Sequence, residues 1–282
     1  MNARVEARVF RGAREVPAVA PGDRGLAYGD GLFETMRVHR GVVPWWDAHW
    51  ARLSLGAARL DIRLPDAGRA RATAQALFED RGDGVLKLLL TRGEGARGYA
   101  PGPAREPTWI VSRHPLPAGP AAGLALHWCG TRLPIQPALA GIKHCNRLEQ
   151  VLARAECDRA GADDGLMRDA DGRVVSATAG NVFVLRDQAW LTPPVELCGV
   201  AGTCRAALIE PLRARVESLS PEAVESADAV FLCNAVRGIL PVARLGARTW
   251  SPHPAVDGAR RILARLHPGF SLDNPALEDP DT

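Results

Sequence analysis

The sequence predicts an α+β fold in two halves, and three features of the 282 residues carry that expectation. Hydrophobic residues make up 46% of the chain, enough to build a sizeable core. Short buried-strand patterns and amphipathic helical patterns occur in both halves. The Pro/Gly/Ala cluster HPLPAGPAAG, residues 114–123, reads as a linker. The expected domains are therefore 1–113 and 124–282.

The first half opens with short strands. From Pro44 to Leu60 the apolar residues Trp46, Trp50, Leu53, Ala57 and Leu60 recur at spacings of four and three, which is one face of an amphipathic helix. Val85 to Thr91 and Thr108 to Ser112 read as buried strands, separated by the glycine-rich stretch RGEGARGYAPGP. In the second half Leu124 to Cys129 reads as a strand, and Asn146 to Ala160 as a helix with Gly161 as its C′ residue. Strands are expected near Gly165 to Arg168, Arg173 to Val175, Val182 to Leu185 and Ala229 to Cys233. Helices are expected to begin at Thr203 and to run from Ala259 to Leu266.

Charge is close to balanced, with 35 basic and 32 acidic residues, and the arginines are interspersed with acids. Nucleic-acid binding is not implied by such a distribution. No apolar run approaches a bilayer span and the N-terminus lacks the apolar region of a signal peptide, so a cytoplasmic location is expected. The six cysteines form no CxxC pair, which argues against a zinc site or a disulfide framework, and no metal site is expected. The basic residues are lopsided: lysine occurs only at Lys87 and Lys143 and the other 33 are arginine. A guanidinium stays protonated, whereas a lysine amine can be deprotonated and made nucleophilic, so a chain this poor in lysine should keep it where arginine fails.

Lys143 lies in GIKHCNRLEQ, a segment beginning with glycine, directly before a helix and close to Leu139 and Ile142. Burial and neighbouring arginines both disfavour an ammonium cation, the condition under which a lysine forms a Schiff base. A solvated surface lysine fits the same local pattern. The loop Cys198 to Thr203 (CGVAGT) leads into a helix for which Thr203 is a suitable N-cap, an arrangement that suits a phosphate as well as a plain cap. Arg52, on the polar side of the Trp-rich helix, can add a bidentate cation or remain a surface arginine. Arg92, Arg97 and Tyr99 in TRGEGARGYAP fit either a pocket mouth that holds a carboxylate or a solvated hairpin loop.

Seven segments stand in one order along the chain: GDRGLAYGDGLFETMRV (22–38), HWARL (49–53), TRGEGARGY (91–99), GIKHCNRLEQVLARAE (141–156), GRVVSATAGNVFVL (172–185), GVAGTCR (199–205) and CNAVRGILPV (233–242). Their order and spacing resemble the fold-type IV pyridoxal-phosphate enzymes, which comprise branched-chain and D-amino-acid aminotransferases and aminodeoxychorismate lyase. GDGLFET and GIKHCNRLEQVLAR look like the lyase subgroup's own versions of the motifs.

The resemblance implies a two-domain homodimer with its site in the cleft between the domains, near the subunit interface. It also implies that the domain 124–282 carries the Schiff-base lysine. Position by position, it makes Lys143 the residue that binds pyridoxal 5'-phosphate as an aldimine and moves protons, and Arg52 of the HxxRL motif a phosphate ligand. Backbone groups of Val200 and Ala201 and of the Asn234–Ala235 turn would also hold the phosphate, and Arg147 would lie near the cofactor ring. Lys87 would hold a substrate carboxylate, Arg97 and Tyr99 would line the pocket, and Tyr28 would face the site.

One position departs from the pattern: the family commonly has a glutamate where this chain has Ser176, and that glutamate keeps the pyridine nitrogen protonated. A serine hydroxyl cannot supply that charge, which weakens the case for transamination more than for a lyase whose product gains an aromatic ring. The implied activity is conversion of 4-amino-4-deoxychorismate to 4-aminobenzoate and pyruvate in folate biosynthesis, with a D-amino-acid or branched-chain aminotransferase as the alternative.

Overall fold

A computed structural model describes residues 6–102, 106–119 and 123–271. The chain divides into two units, one made of Met1–Leu116 with Ile142–Asn146 and the other of Pro117–Gly141 with Arg147–Thr282. Where the domain carrying Lys143 was expected to be the C-terminal one, the five residues around the lysine group with the N-terminal unit.

The first unit contains, in chain order, β1 (Glu6–Arg11), β2 (Arg14–Val16), α1 (Arg24–Tyr28), β3 (Gly31–Val38), α2 (Trp46–Leu60), α3 (Ala67–Ala76), β4 (Gly84–Thr91) and β5 (Thr108–His114). Its strands form an antiparallel sheet in the order β2-β1-β5-β4-β3. Period-two alternation decides which side chains it buries: Leu32, Glu34, Met36 and Val38 of β3 and Leu86, Leu88 and Leu90 of β4 are all buried. Phe33 and Thr35 share the other face with Lys87, because Thr35 pairs with Lys87 and Phe33 with Leu89.

Helix α2 begins two residues after Pro44 and buries Trp46, His49, Leu53, Gly56 and Ala57. Gly56 permits the close approach of this helix to β3, since a Cβ there would stand 2.9 Å from a Leu32 methyl. Helix α3 was not expected from the sequence; its segment AGRARATAQA contains no large apolar residue and it buries only Ala70, Thr73 and Ala74. Asp66 starts it by accepting from the Arg69 amide at 2.8 Å.

The second unit contains β6 (Leu124–Leu133), α4 (Leu148–Arg159), β7 (Asp164–Asp169), β8 (Val174–Ala177), β9 (Asn181–Arg186), β10 (Ala189–Thr192), α5 (Thr203–Ile209), β11 (Arg215–Val216), α6 (Pro221–Glu225), β12 (Ala229–Asn234), β13 (Gly238–Leu245), β14 (Arg248–Thr249) and α7 (Pro254–Leu266). Its sheet runs β11-β10-β9-β12-β13-β6-β7-β8, with β14 on β13. The β13–β6 and β6–β7 pairs are parallel and the β9–β12–β13 run is antiparallel. Strands buried on both faces read as continuous apolar runs, as in AVFLC of β12 and NVFVL of β9. One core cluster joins Leu124, Leu126, Leu166, Val182, Val184, Val230 and Leu232. Each such side chain contributes roughly 1.5–3 kcal/mol when fully buried. Gly161, at φ 61°, follows the last turn of α4 as the sequence predicts.

Candidate active site

The lysine segment is held in place by the edge of a sheet. The Phe33 amide donates to the Lys143 carbonyl at 2.9 Å and the Cys145 amide to the Gly31 carbonyl at 2.9 Å, so residues 142–146 continue the ladder beyond β3. Ile142 is buried beside α2, within reach of the Gly56 position. Lys143 is half-buried. Its Nζ lies 4.4 Å from the centroid of the Phe33 ring, and the Nζ of Lys87 lies 5.5 Å from the same centroid. The two lysines of a chain with 33 arginines thus meet on one phenylalanine, and Lys87 is half-buried on an inner strand of the sheet.

On the opposite face of β3 stands a buried ionic group that the sequence reading missed. Glu34 is 1% exposed, and its carboxylate accepts from Arg52 Nε at 2.8 Å and from Arg52 Nη2, with His49 Nδ1 2.6 Å away. Arg52 is accordingly no solvated helix arginine, for only 10% of its side chain is exposed. Burial pushes the Glu34 carboxyl up, but the hydrogen bonds from His49 and Arg52 and the guanidinium charge outweigh it and hold the group below its ordinary value. Burial pushes His49 down from its ordinary value, and the charges of Arg52 and Lys143 reinforce that against the pull of Glu34. The only sequence signal for this group was the spacing of His49 and Arg52, three residues apart on one helix face.

The glycine-rich loop after β4 is fastened from below. Arg24, 4% exposed, donates to the carbonyls of Gly98 and Tyr99 at 3.0 Å and of Ala100 at 3.3 Å, and its Nε reaches Asp30 at 2.9 Å. Arg92 takes the same Asp30 carboxylate at 2.7 Å and caps the end of α2 through the carbonyls of Leu60 and Asp61. Tyr28 accepts from the Gly98 amide at 3.1 Å and meets Tyr99 edge to face at 5.5 Å. The loop is therefore built, but it turns Arg97 and Tyr99 toward solvent, with Tyr99 85% exposed.

In the second unit the expected anion-binding loop is made of backbone. The Gly141 amide donates to the Gly199 carbonyl and the Ala201 amide to the Gly141 carbonyl, both at 3.0 Å. The Ala201 amide is thus engaged within the protein. Asn181 Nδ2 donates to the Val200 carbonyl at 3.0 Å. A Cβ at Gly202 would lie 2.1 Å from Asn181 Oδ1, and Gly199 adopts φ +87°. Gly202, not Thr203, is the N-cap of α5, and it has no side chain with which to bond the first turn. Among the described residues no protein acceptor is found for the amides of Val200, Gly202 and Ala235.

Asn234 shapes its own turn, its Oδ1 accepting from the amides of Val236 at 3.0 Å and Arg237 at 2.8 Å. Ser176 is buried on β8, opposite Met167 of β7. Arg147 is the N-cap of α4. Taken unit by unit, the groups suit a ring-bearing phosphate ester with an aldehyde: the first unit has an amine for the aldehyde and a guanidinium for the phosphate, and the second has backbone amides of the kind that bind a phosphate.

The sequence profile of the family described as "Amino-transferase class IV" matches residues 31–245. Aminodeoxychorismate lyase of Vibrio harveyi is 36% identical over 236 residues, covering 80% of this chain and 87% of the relative. A putative branched-chain-amino-acid aminotransferase of Methanocaldococcus jannaschii is 30% identical over 80% of this chain and 82% of its own length. The crystal structure of 4-amino-4-deoxychorismate lyase from Pseudomonas aeruginosa superposes with a TM-score of 0.85 at 41% identity, covering 94% of this chain and all of that one. The chain belongs to the amino-transferase class IV family, the fold-type IV enzymes that work with pyridoxal phosphate.

Proposed function

We propose that the protein is an aminodeoxychorismate lyase, converting 4-amino-4-deoxychorismate to 4-aminobenzoate and pyruvate in folate biosynthesis. The convergence of Lys143 and Lys87 on Phe33 carries this reading, because it sets a candidate base beside a candidate carboxylate ligand. The 36% and 41% identities to proteins named for this activity support it.

Bound pyridoxal phosphate supplies an aldehyde that takes up the substrate amine and a ring that withdraws electrons from the adjacent carbon. Lys143 holds the cofactor between turnovers. Released by the substrate amine, its neutral Nζ removes the proton from the aminated ring carbon, and the ring–oxygen bond of the enol ether then breaks. The electron pair left by that proton completes an aromatic ring, so the chemistry asks little of the group at Ser176. The departing enolpyruvate takes up a proton and leaves as pyruvate. Lys87 is assigned to a substrate carboxylate, with Arg97 and Tyr99 at the pocket mouth and Tyr28 facing the site. Arg52, backbone groups of Val200 and Ala201, and the Asn234–Ala235 turn are assigned to the phosphate, and Arg147 and Ser176 to the surroundings of the cofactor ring.

A homodimer and a cytoplasmic location complete the proposal. The exposed stripe Leu148, Val151 and Leu152 on α4 supports the first, and six free cysteines, five of them buried, support the second. The deciding experiment supplies aminodeoxychorismate to the purified protein and follows 4-aminobenzoate, beside assays of D-alanine or leucine with 2-oxoglutarate. Faster 4-aminobenzoate release is expected; faster transamination would move the assignment to an aminotransferase.

A further inference from the structure

Arg205, in the first turn of α5, is 6% exposed, and its described acceptors are both neutral. Its Nε donates to Thr192 Oγ1 at 3.2 Å and its Nη2 to the Pro193 carbonyl at 2.8 Å. Cys204 and Leu208 of the same helix are apolar and buried. A guanidinium placed there gives up its hydration, and burial presses it below its ordinary value, with Cys233 and Glu196 pulling the other way. A well-packed apolar side chain in its stead is often neutral or stabilising. What the guanidinium does that methionine cannot is join the start of α5 to the end of β10.

That junction closes a loop. Residues 193–202 leave β10 at Thr192 and enter α5 at Thr203. The loop begins with Pro193 and Pro194, which have no amide hydrogen, so it can be held there only through its carbonyls. Thr192 is fixed in turn: its hydroxyl donates to the Val182 carbonyl at 2.9 Å, which leaves a lone pair for Arg205 Nε. Asn181, the neighbour of Val182 on β9, donates from Nδ2 to the Val200 carbonyl at 3.0 Å. The bonds run in a circuit, from Arg205 through Thr192 and β9 to Val200, and back along the chain through Gly202 into α5. Main-chain bonds hold the middle of the loop, where the Leu197 and Gly199 carbonyls accept from the amides of Gln136 at 2.9 Å and Gly141 at 3.0 Å. The amides of Val200 and Gly202, for which no protein acceptor is found among the described residues, belong to the segment that this circuit closes.

We propose that Arg205 is a positioning residue that clamps the loop 193–202 and so sets the Val200 and Gly202 amides for the cofactor phosphate. The proposal rests on the assignment of that loop to the phosphate. Arg205 touches neither substrate nor cofactor in this role; it acts through Thr192 and Pro193.

Pyridoxal phosphate is compared with pyridoxal, which has the aldehyde and ring but no phosphate. Each is titrated into the full chain stripped of cofactor, and binding is followed by visible absorbance and protein fluorescence. Val200→Pro deletes an amide hydrogen for which no protein acceptor is found, and is expected to weaken pyridoxal phosphate and leave pyridoxal unchanged. If it changes neither, or both alike, the assignment of the loop fails and the proposal falls with it. Should Val200→Pro fail to fold, Asn181→Ala, which releases the Val200 carbonyl, is judged by the same rule.

Arg205→Met keeps much of the length of the side chain but loses both bonds, and is expected to weaken pyridoxal phosphate about tenfold without weakening pyridoxal. Arg205→Lys keeps the charge but not the planar fork, and is expected to shift the ratio of the two affinities in the same direction. A ratio that shifts in Val200→Pro but not in Arg205→Met overturns the proposal while leaving the loop on the phosphate. Equal weakening of both ligands in Arg205→Met also overturns it, because the arginine would then serve stability alone. So does a wild-type ratio in Arg205→Lys, which would make charge and not the clamp the active property. Should Arg205→Met fail to fold, Thr192→Val, which removes the acceptor of Nε, is measured in the same way. It is expected to shift the ratio in the same direction by less, and an unchanged ratio there overturns the proposal equally.

Discussion

The residues assigned to the cofactor are of different materials in the two units. The first works through side-chain charge: Lys143 and Lys87 on one face of β3, and Glu34, His49 and Arg52 on the other. The second works through main chain: glycines at 141, 199 and 202, amides at 200, 202 and 235, and asparagines that shape the turns around them. A site built of side chains is damaged by removing atoms. A site built of backbone is damaged by adding them.

The largest effect is expected from removing the amine of the first unit. Lys143→Ala should lose the yellow absorbance of covalently held cofactor and lower 4-aminobenzoate formation by on the order of 10³ or more, since one group serves as nucleophile and base. A variant that still held the cofactor covalently would end the assignment. Next comes an addition in the second unit. Gly202→Ala forces a methyl to within 2.1 Å of Asn181 Oδ1, and the displacement should cost roughly 1–3 kcal/mol in a thermal or urea melt while leaving Lys143 chemically intact. An unchanged melt would show that the loop is looser than its hydrogen bonds imply.

The charged group of the first unit should also reveal itself through pH. His49 and Glu34 are both held below their ordinary values of 6.5 and 4.5, so the folded state takes up protons later than the unfolded chain does. Their contribution to stability is therefore complete above about pH 6.5 and is lost as pH falls, first through the His49 step and then, below about pH 4.5, through that of Glu34. Glu34 is the group that pulls His49 up, so without it His49 is depressed further, and the melting temperature of Glu34→Gln should fall more than that of the wild type between about pH 7 and 5. Parallel profiles would contradict the burial of that group. The smallest effect is expected from Asn181→Ala, which removes one 3.0 Å bond to the Val200 carbonyl and should cost about 1 kcal/mol. A much larger loss would mean that the second unit relies on side chains after all.

Legibility in the sequence follows the same division. Helix α2 was readable because its apolar residues recur at helical spacing, and β4 and β12 because buried strands are nearly unbroken apolar runs. Lys87 and Lys143 stood out by scarcity, and the segment GIKHCNRLEQ set Lys143 apart. Glu34 did not, because an acidic residue in a strand carries no mark of burial, and its partners lie 15 and 18 residues further along the chain. Arg24 was equally silent: the carbonyls it holds are 74 to 76 residues away. Thr203 misled, since a threonine beginning a helix looks like a cap whether or not the cap is in fact the glycine before it.

By itself the sequence determined the positions of the main helices and strands, the seven motifs in order and a candidate amine for an aldehyde. Those are properties of periodicity and chemical type, which neighbouring residues express without help. Only the tertiary structure decided that residues 142–146 extend the sheet beyond β3, that both lysines share Phe33, and that a buried carboxylate pairs with Arg52. The reason is that sheet register and close helix packing, such as Gly56 allows against Leu32, join residues whose separation along the chain carries no signal of their contact.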